Sequence, residues 1–352
     1  MSLWSLDELM DEIKLSCPAC RSAKLQARDE SVVCEQCGAS YANVDGVLAF
    51  ALSPGGLKTE IQTFWGDLYK QLYSDFEQRL SNMSPEEFEE LLQEFVPMLE
   101  HMEHLPVREI DLKQIAGKKI LEIGCGAGAH SALFKSFGAK VVALDLTVGR
   151  VISAQRKLRL VRQGRGAAIQ GDAENLPFAD DTFDIVYSFG VLHHTEDTEK
   201  AVGEVYRVLK PGGQAAVMLY AKTSYFYYFN QLLVQGILRG EYARNGRWLG
   251  KVTEGKPQHS DTFNPITRVY TKNEMLHLFE RFNSLHLRKS AFNFSQVSII
   301  GRYLPKLLVR MGICRERPAG VLVLDGPLRL ETKLELALGH YIGFGWNITG
   351  RK

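Results

Sequence analysis

No apolar run in this 352-residue chain approaches the roughly 20 residues that cross a bilayer. The longest candidate, Tyr225 to Leu238, is interrupted by Asn230, Gln231 and Gln235. The opening Met1-Ser-Leu-Trp-Ser-Leu-Asp7 has neither a basic head nor a long apolar core, so no export signal is predicted and a cytoplasmic location is expected. Cysteine is scarce, with six residues in all, and a chain without an export signal has little use for disulfides. A large net charge is lacking too, at +1, but the balance is uneven. Residues 1–200 hold 20 Lys+Arg against 31 Asp+Glu, and residues 201–352 hold 22 against 10. Either solvated faces or a docking face for an anionic acceptor accounts for the basic half. What remains is ordinary for a globular protein: 45% hydrophobic, 24% charged, and long enough for one large domain or two smaller ones.

The chain is organised around Lys119-Ile-Leu-Glu-Ile-Gly-Cys-Gly-Ala-Gly-Ala-His130. Ile120, Leu121 and Ile123 read as a short buried strand, and Ser131-Ala-Leu-Phe-Lys135 reads as a helix. Between them Gly124, Gly126 and Gly128 allow a sharp turn and a close approach to a ligand. The helix start offers unpaired N–H groups to a negative group. Gly124-x-Gly126-x-x-Ala129 also fits the dinucleotide fingerprint, so a nicotinamide-dependent dehydrogenase is the competing reading of this motif alone. Strands are predicted at 119–123, 140–145, 166–171, 183–189 and 213–220, alternating with helices as in a parallel sheet covered on both faces.

Four further motifs follow in order: Val141-Val-Ala-Leu-Asp145, Gly171-Asp172-Ala173, Phe183 to Phe189 running into His193-His194, and Arg207-Val-Leu-Lys-Pro-Gly-Gly213. Together these resemble the class I S-adenosylmethionine-dependent methyltransferases in their type 11 form, over about residues 118–220. The resemblance implies a Rossmann-like, seven-stranded α/β sheet. It implies Asp145 on the adenosine ribose, and Asp172 with the Ala173 N–H on the adenine. Glu122 and Phe189 would lie near the methionine end, and Gly124, Cys125, Gly126, Gly128 and Leu146 would line the cofactor. His193 and His194 follow the fourth strand, where related enzymes face the acceptor. His194 is the candidate catalytic base, and His193 a candidate substrate contact.

Upstream, Cys17-Pro-Ala-Cys20 and Cys34-Glu-Gln-Cys37 stand 13 residues apart. Two such knuckles point four sulfurs at one metal, and ligand type and spacing favour zinc over two redox pairs. The segment from Cys34 through Tyr41 and Asp45-Gly46 to Leu48 resembles the small Trm112-like zinc ribbons. All four metal positions would be filled, so the zinc is expected to be structural. Pro54-Gly55-Gly56 reads as a linker, and Lys58 to Leu80 as a helix with an aromatic stripe. Ser84-Pro85-Glu86-Glu87 is a capping box that opens another helix. The stripe is expected to pack against the catalytic domain; in similar enzymes N-terminal helices often cover the cofactor pocket, and Trp65, Tyr69 and Tyr73 would then line a lid. The domain expectation is 1–53 a zinc ribbon, 54–117 a helical linker or lid, and 118–352 the methyltransferase domain, with insertions at about 221–270 and 295–342. On that division the catalytic domain has its own core and keeps cofactor binding without the ribbon.

The first insertion carries the aromatic helix from Tyr225, with Tyr225 and Tyr228 as substrate-binding candidates beside His194. In the second, Lys306 and Arg310 share one predicted face and Leu304, Leu307, Leu308 and Met311 another, a surface for packing or for peripheral membrane contact. The favoured acceptor is a small or medium-sized metabolite of natural-product or sugar type. Transfer or ribosomal RNA is the alternative, although no Asn-Pro-Pro-Tyr motif follows the fourth strand, where Ser188-Phe-Gly-Val191 stands. A non-catalytic S-adenosylmethionine-binding adaptor is the alternative from another class.

Overall fold

The computed structural model describes residues 3–28, 31–50, 55–254, 262–297, 301, 303–317 and 328–352. Its backbone is one eleven-stranded sheet. Strands β1 (Leu25–Arg28), β2 (Ser31–Cys34), β3 (Ser40–Val44) and β4 (Val47–Ala49) form an antiparallel meander. Five parallel strands follow: β5 (Lys119–Ile123), β6 (Lys140–Asp145), β7 (Arg165–Gln170), β8 (Phe183–Phe189) and β9 (Leu209–Tyr220). β10 (Asn283–Ser290) lies at the far edge, and β11 (Glu316–Arg317) and β12 (Leu328–Arg329) make a separate two-stranded ladder. The last strand, β13 (Gly345–Arg351), inserts antiparallel between β9 and β10. The seven-stranded core order is therefore β7-β6-β5-β8-β9-β13-β10. Its middle strands are buried along nearly their whole length, as parallel strands covered by helices on both faces must be.

The ribbon is not set apart from this core. β4 pairs parallel with β7, Leu48 opposite Ile169, and extends the catalytic sheet by four strands. The apolar Val47-Leu-Ala49 run gives the open edge of β7 a partner for its backbone groups, which water would otherwise have to satisfy. Tyr41 and Phe50 share one hydrophobic core with Leu144 and Ile169. Helix α1 (Leu6–Ile13) adds charge contacts across the same seam, with Glu8 paired to Arg165 and Glu12 to Lys140 at 2.7 Å.

Two long helices lead into the sheet. Helix α2 (Leu57–Leu80) passes over the carboxyl ends of the strands. Helix α3 (Pro85–His101) starts with the expected capping box, Ser84 and Glu87 bonding each other's backbone N–H. The sheet's own helices are α5 (Ala129–Ser136), α6 (Val148–Leu160) and α7 (Thr198–Val208), with α4 (Leu105–Arg108) a single turn before β5. After β9 the aromatic stretch forms a π-helix, Phe226–Leu238, followed by the short helices Glu241–Arg244 and Trp248–Thr253. A second capped helix, Lys272–Leu278, leads into β10, and the second insertion holds Leu304–Arg310 and Lys333–Ile342.

Candidate functional site

The site grows out of the turn after β5. Gly124 adopts φ +71°, and a Cβ there would sit 2.3 Å from a Val191 methyl, so only glycine lets the loop close on the β8 turn. Gly128 opens α5 at φ +81°, and a Cβ would press within 2.6 Å of the Ala154 Cβ. This glycine lets α5 and α6 pack closely and so fixes the start of the helix beside the loop.

Asp145, at the end of β6, is held from three sides. One oxygen accepts from the Gly126 N–H at 3.0 Å. The other accepts from the Thr147 N–H at 2.9 Å and the Thr147 hydroxyl at 2.8 Å. Burial pushes its carboxyl up, and these three bonds pull it back toward the charged form. The group is thus aimed before any ligand arrives, and the lone pair left on the Gly126-bound oxygen can accept from a ligand hydroxyl.

A cleft lies over these strand ends. Gly124, Asp145, Leu146, Asp172, Ala173 and His194, all candidates from the sequence, line it together. Its roof is α2, whose Lys58, Ile61, Trp65 and Tyr69 recur along one helix face. Polar contacts fasten the roof. The Lys58 ammonium bridges Asp172 and Glu174, and Gln62 Nε2 donates to the Leu146 carbonyl at 2.9 Å. The side chain of Tyr73 lies outside the described residues.

Other sequence candidates fall elsewhere. Cys125 is buried among Val47, Ala143 and Val151, and burial pushes its thiol well up. Glu122 is buried beneath the loop, where it accepts from the Ser131 hydroxyl and stands 3.7 Å from His130. Phe189 packs on His104 at 4.2 Å and borders a second cavity with Arg288 and Phe292. Tyr225 stacks on Phe229 at 4.7 Å, and Tyr228 is 48% exposed; neither lines the cleft.

At the far end of the cleft His194 is 4% exposed, with Trp65 packed on its ring at 5.1 Å. Its Nδ1 lies 2.9 Å from the Ile266 carbonyl. The Asn264 amide nitrogen lies 2.8 Å from the same atom, so the carbonyl finds a partner when Nδ1 carries the proton and the amide finds one when Nε2 does. That Nε2 faces Glu254 Oε1 at 3.5 Å, and the same oxygen accepts from the Tyr220 hydroxyl at 3.0 Å. Burial pulls the His194 imidazole down to about 4, the Ile266 bond opposing and the nearby Arg268 charge adding to it. Burial pushes Glu254 up to about 7, the Tyr220 bond opposing. At neutral pH the imidazole is uncharged and the carboxyl is poised between its two forms. His193, by contrast, is wholly buried against the Tyr220 ring at 3.8 Å, with neither ring nitrogen bonded among the described residues.

Sequence reasoning missed Lys58, Tyr220 and Glu254. Lys58 begins the 58-61-65-69 spacing and was legible there as the polar end of the stripe. Tyr220 ends a predicted strand, one residue too late to read as a core position. Glu254 closes a polar insertion whose path no local pattern fixes.

The four cysteines of the ribbon converge. Their sulfurs all lie within 4.8 Å of one another, with Cys17–Cys37 at 3.6 Å and Cys20–Cys34 at 3.5 Å. Bonds of about 2.3 Å at tetrahedral angles need sulfurs about 3.8 Å apart, so the donor set fits one zinc-sized ion. The Tyr41 hydroxyl lies 3.0 Å from Cys17 Sγ and supports the cluster from outside.

Residues 121–217 match the family model described as a methyltransferase domain. Among curated proteins, the chain is similar to a ubiquinone/menaquinone biosynthesis C-methyltransferase of Haemophilus ducreyi. Identity is 35% over 158 residues, 41% of this chain and 61% of that one. It is 40% identical over 104 residues to a demethylmenaquinone methyltransferase of Clavibacter sepedonicus, covering 29% and 41% of the two chains. It is 36% identical over 101 residues to a malonyl-[acyl-carrier protein] O-methyltransferase of Pectobacterium atrosepticum, covering 29% and 38%. The match thus spans less than two thirds of each relative's length. Among solved structures, a SAM-dependent methyltransferase of Methanosarcina mazei is 20% identical, with a TM-score of 0.43, covering 67% of this chain and 92% of that one.

Proposed function

We propose that this chain, which carries a class I methyltransferase domain over residues 121–217, moves the methyl group of S-adenosylmethionine to a small or medium-sized metabolite. One observation carries the reading. The cleft joins the glycine turn, the pre-aimed Asp145 and Asp172 under one helical roof at the carboxyl ends of the strands. A roofed, partly aromatic cleft suits a small acceptor, since it excludes water and fixes orientation. The relatives are methyltransferases of ubiquinone/menaquinone biosynthesis, of demethylmenaquinone and of malonyl-[acyl-carrier protein], which supports the acceptor class without choosing a member of it.

In this reading Asp145 takes the ribose hydroxyls, while Asp172 and the Ala173 N–H meet the adenine. Lys58 then shares Asp172 with the base or withdraws to Glu174. The acceptor atom attacks the methyl carbon in line, the C–S electron pair returns to sulfur, and S-adenosylhomocysteine leaves. The sulfonium is already activated, so the protein's main task is positioning. The acceptor's proton goes to the His194–Glu254 pair, Tyr220 holding the carboxylate in place. Cys17, Cys20, Cys34 and Cys37 would hold a zinc ion, which has no open position and serves the fold alone.

The pair gives a signed pH dependence. Glu254 becomes a proton acceptor as pH rises through about 7, so turnover is expected to climb across that range. Glu254→Gln is expected to flatten that limb and lower turnover about 10²-fold or more, while S-adenosylmethionine affinity stays unchanged. The stability sign is opposite. A carboxyl whose folded pKa is raised loses stability as pH rises from its unfolded value through the folded one, so the Gln variant should resist alkaline conditions better. The reading is tested by mass spectrometry of methyl transfer to metabolite fractions and to bulk transfer RNA. Methyl groups appearing on RNA alone would overturn the small-acceptor reading.

A further inference from the structure

The cleft and the four-cysteine site leave the outer faces of the two insertions without a role. Their exposed faces are apolar where a water-facing helix is ordinarily polar. On the π-helix, Phe229, Leu233 and Ile237 recur every four residues and are 50%, 40% and 60% exposed. Residues 223–238 contain no charged side chain. In the second insertion Tyr303, Leu307 and Met311 also recur every four residues, and all three are exposed. The sequence pattern groups Leu307 and Met311 with Leu304 and Leu308 on one packed face. In the structure only Leu304 and Leu308 are half-buried, and Lys306 and Arg310 share the exposed face with Leu307 and Met311. Residues 301–315 hold four Lys+Arg and no Asp or Glu.

The two helices are neighbours. Both helices flank the turn Phe294–Gln296: Asn230 Nδ2 donates to the Gln296 carbonyl, and the helix Leu304–Arg310 packs on the same turn. The inner side of the π-helix rests on Trp248–Thr253, with Gln231 Nε2 donating to the Thr253 hydroxyl at 2.6 Å. The next residue is Glu254, so the exposed surface backs the end of the cleft where His194 stands.

We infer that these two exposed faces dock the chain on an anionic lipid bilayer. The aromatic and aliphatic tips enter the headgroup boundary, and Lys306, Arg310 and Arg315 meet the lipid phosphates. No described helix is long and apolar enough to cross a membrane, so the surface lies on the bilayer rather than through it. A second copy fits less well, because a two-fold contact would set this acid-free basic face against itself. The inference goes beyond the transfer reaction and does not need it.

Sedimentation with vesicles tests it, using the full chain without S-adenosylmethionine. Phosphatidylcholine vesicles are compared with vesicles that also contain phosphatidylglycerol. The chain is expected to pellet with the anionic vesicles and to be released by salt. Lys306→Glu with Arg310→Glu is expected to weaken pelleting about tenfold or more, and Leu233→Ser with Ile237→Ser by a similar factor. Melting temperature and S-adenosylmethionine affinity should not move, and if one pair fails to fold the other pair decides. A wild-type chain that stays in the supernatant overturns the inference. So do folded variants that pellet like wild type, or a concentration-dependent dimer that Leu233→Ser with Ile237→Ser abolishes.

Discussion

Cys34→Ser, or chelation of an ion held by the four cysteines, is expected to unfold the whole chain in one transition instead of releasing a small ribbon. Structural zinc sites supply about 10–16 kcal/mol in small peptides, while a domain's net stability is about 5–15 kcal/mol. Losing the site therefore removes as much free energy as such a domain holds. The loss is not confined, because β4 forms the edge partner of β7, and Tyr41 and Phe50 share a core with Leu144 and Ile169. Asp145 sits at the end of β6, the strand beside β7, so the cleft should fail with the ribbon. A melt followed by tryptophan fluorescence, with zinc release read by a dye, checks this. One coincident transition is expected. Two separate transitions, with S-adenosylmethionine still bound after the first, would support independent domains at the boundary near residue 53.

Asp145→Ala is expected to weaken S-adenosylmethionine binding roughly ten- to hundredfold. Hydrogen bonds to a charged group are worth about 1.5–3 kcal/mol, and each 1.4 kcal/mol is about tenfold in affinity. The carboxylate also holds the Gly126 N–H, so its loss loosens the glycine turn as well as the ribose contact. Asp145→Asn separates the two effects. The amide oxygen still accepts from Gly126 or Thr147, but the charge is gone, so affinity should fall by an intermediate factor. Isothermal titration of the three proteins gives the ranking. Equal affinity for all three would remove Asp145 from the site.

Much of this architecture was legible because its signals are local. The strand runs 119–123, 140–145 and 183–189 are short apolar stretches ending in Gly124, Asp145 and Phe189, and they fall on β5, β6 and β8 residue for residue. The capping box at Ser84 marks a helix start by chemistry that needs no tertiary partner. Cysteine spacing likewise predicts a cluster before any fold is known. What was not legible depends on long-range packing. Val47-Leu-Ala49 reads as the last strand of a ribbon, and nothing local says that β7 will accept it as a neighbour. The aromatic run at Tyr225–Phe229 reads as a pocket wall because aromatic residues are usually covered. Here Tyr228 and Phe229 face outward, and the cleft takes its aromatic groups from Trp65 and Tyr69 instead. Glu254 becomes important only when the Trp248–Thr253 helix carries it to His194.

This cleft is expected to take S-adenosylmethionine. Isothermal titration of the purified chain with S-adenosylmethionine, S-adenosylhomocysteine and NADH tests it most directly. Saturable binding of both adenosyl sulfur compounds is predicted, near one per chain, lost or weakened in Asp145→Ala, with no heat from NADH. Saturable NADH binding with no response to S-adenosylmethionine would contradict it, and would return the glycine turn to its dinucleotide reading.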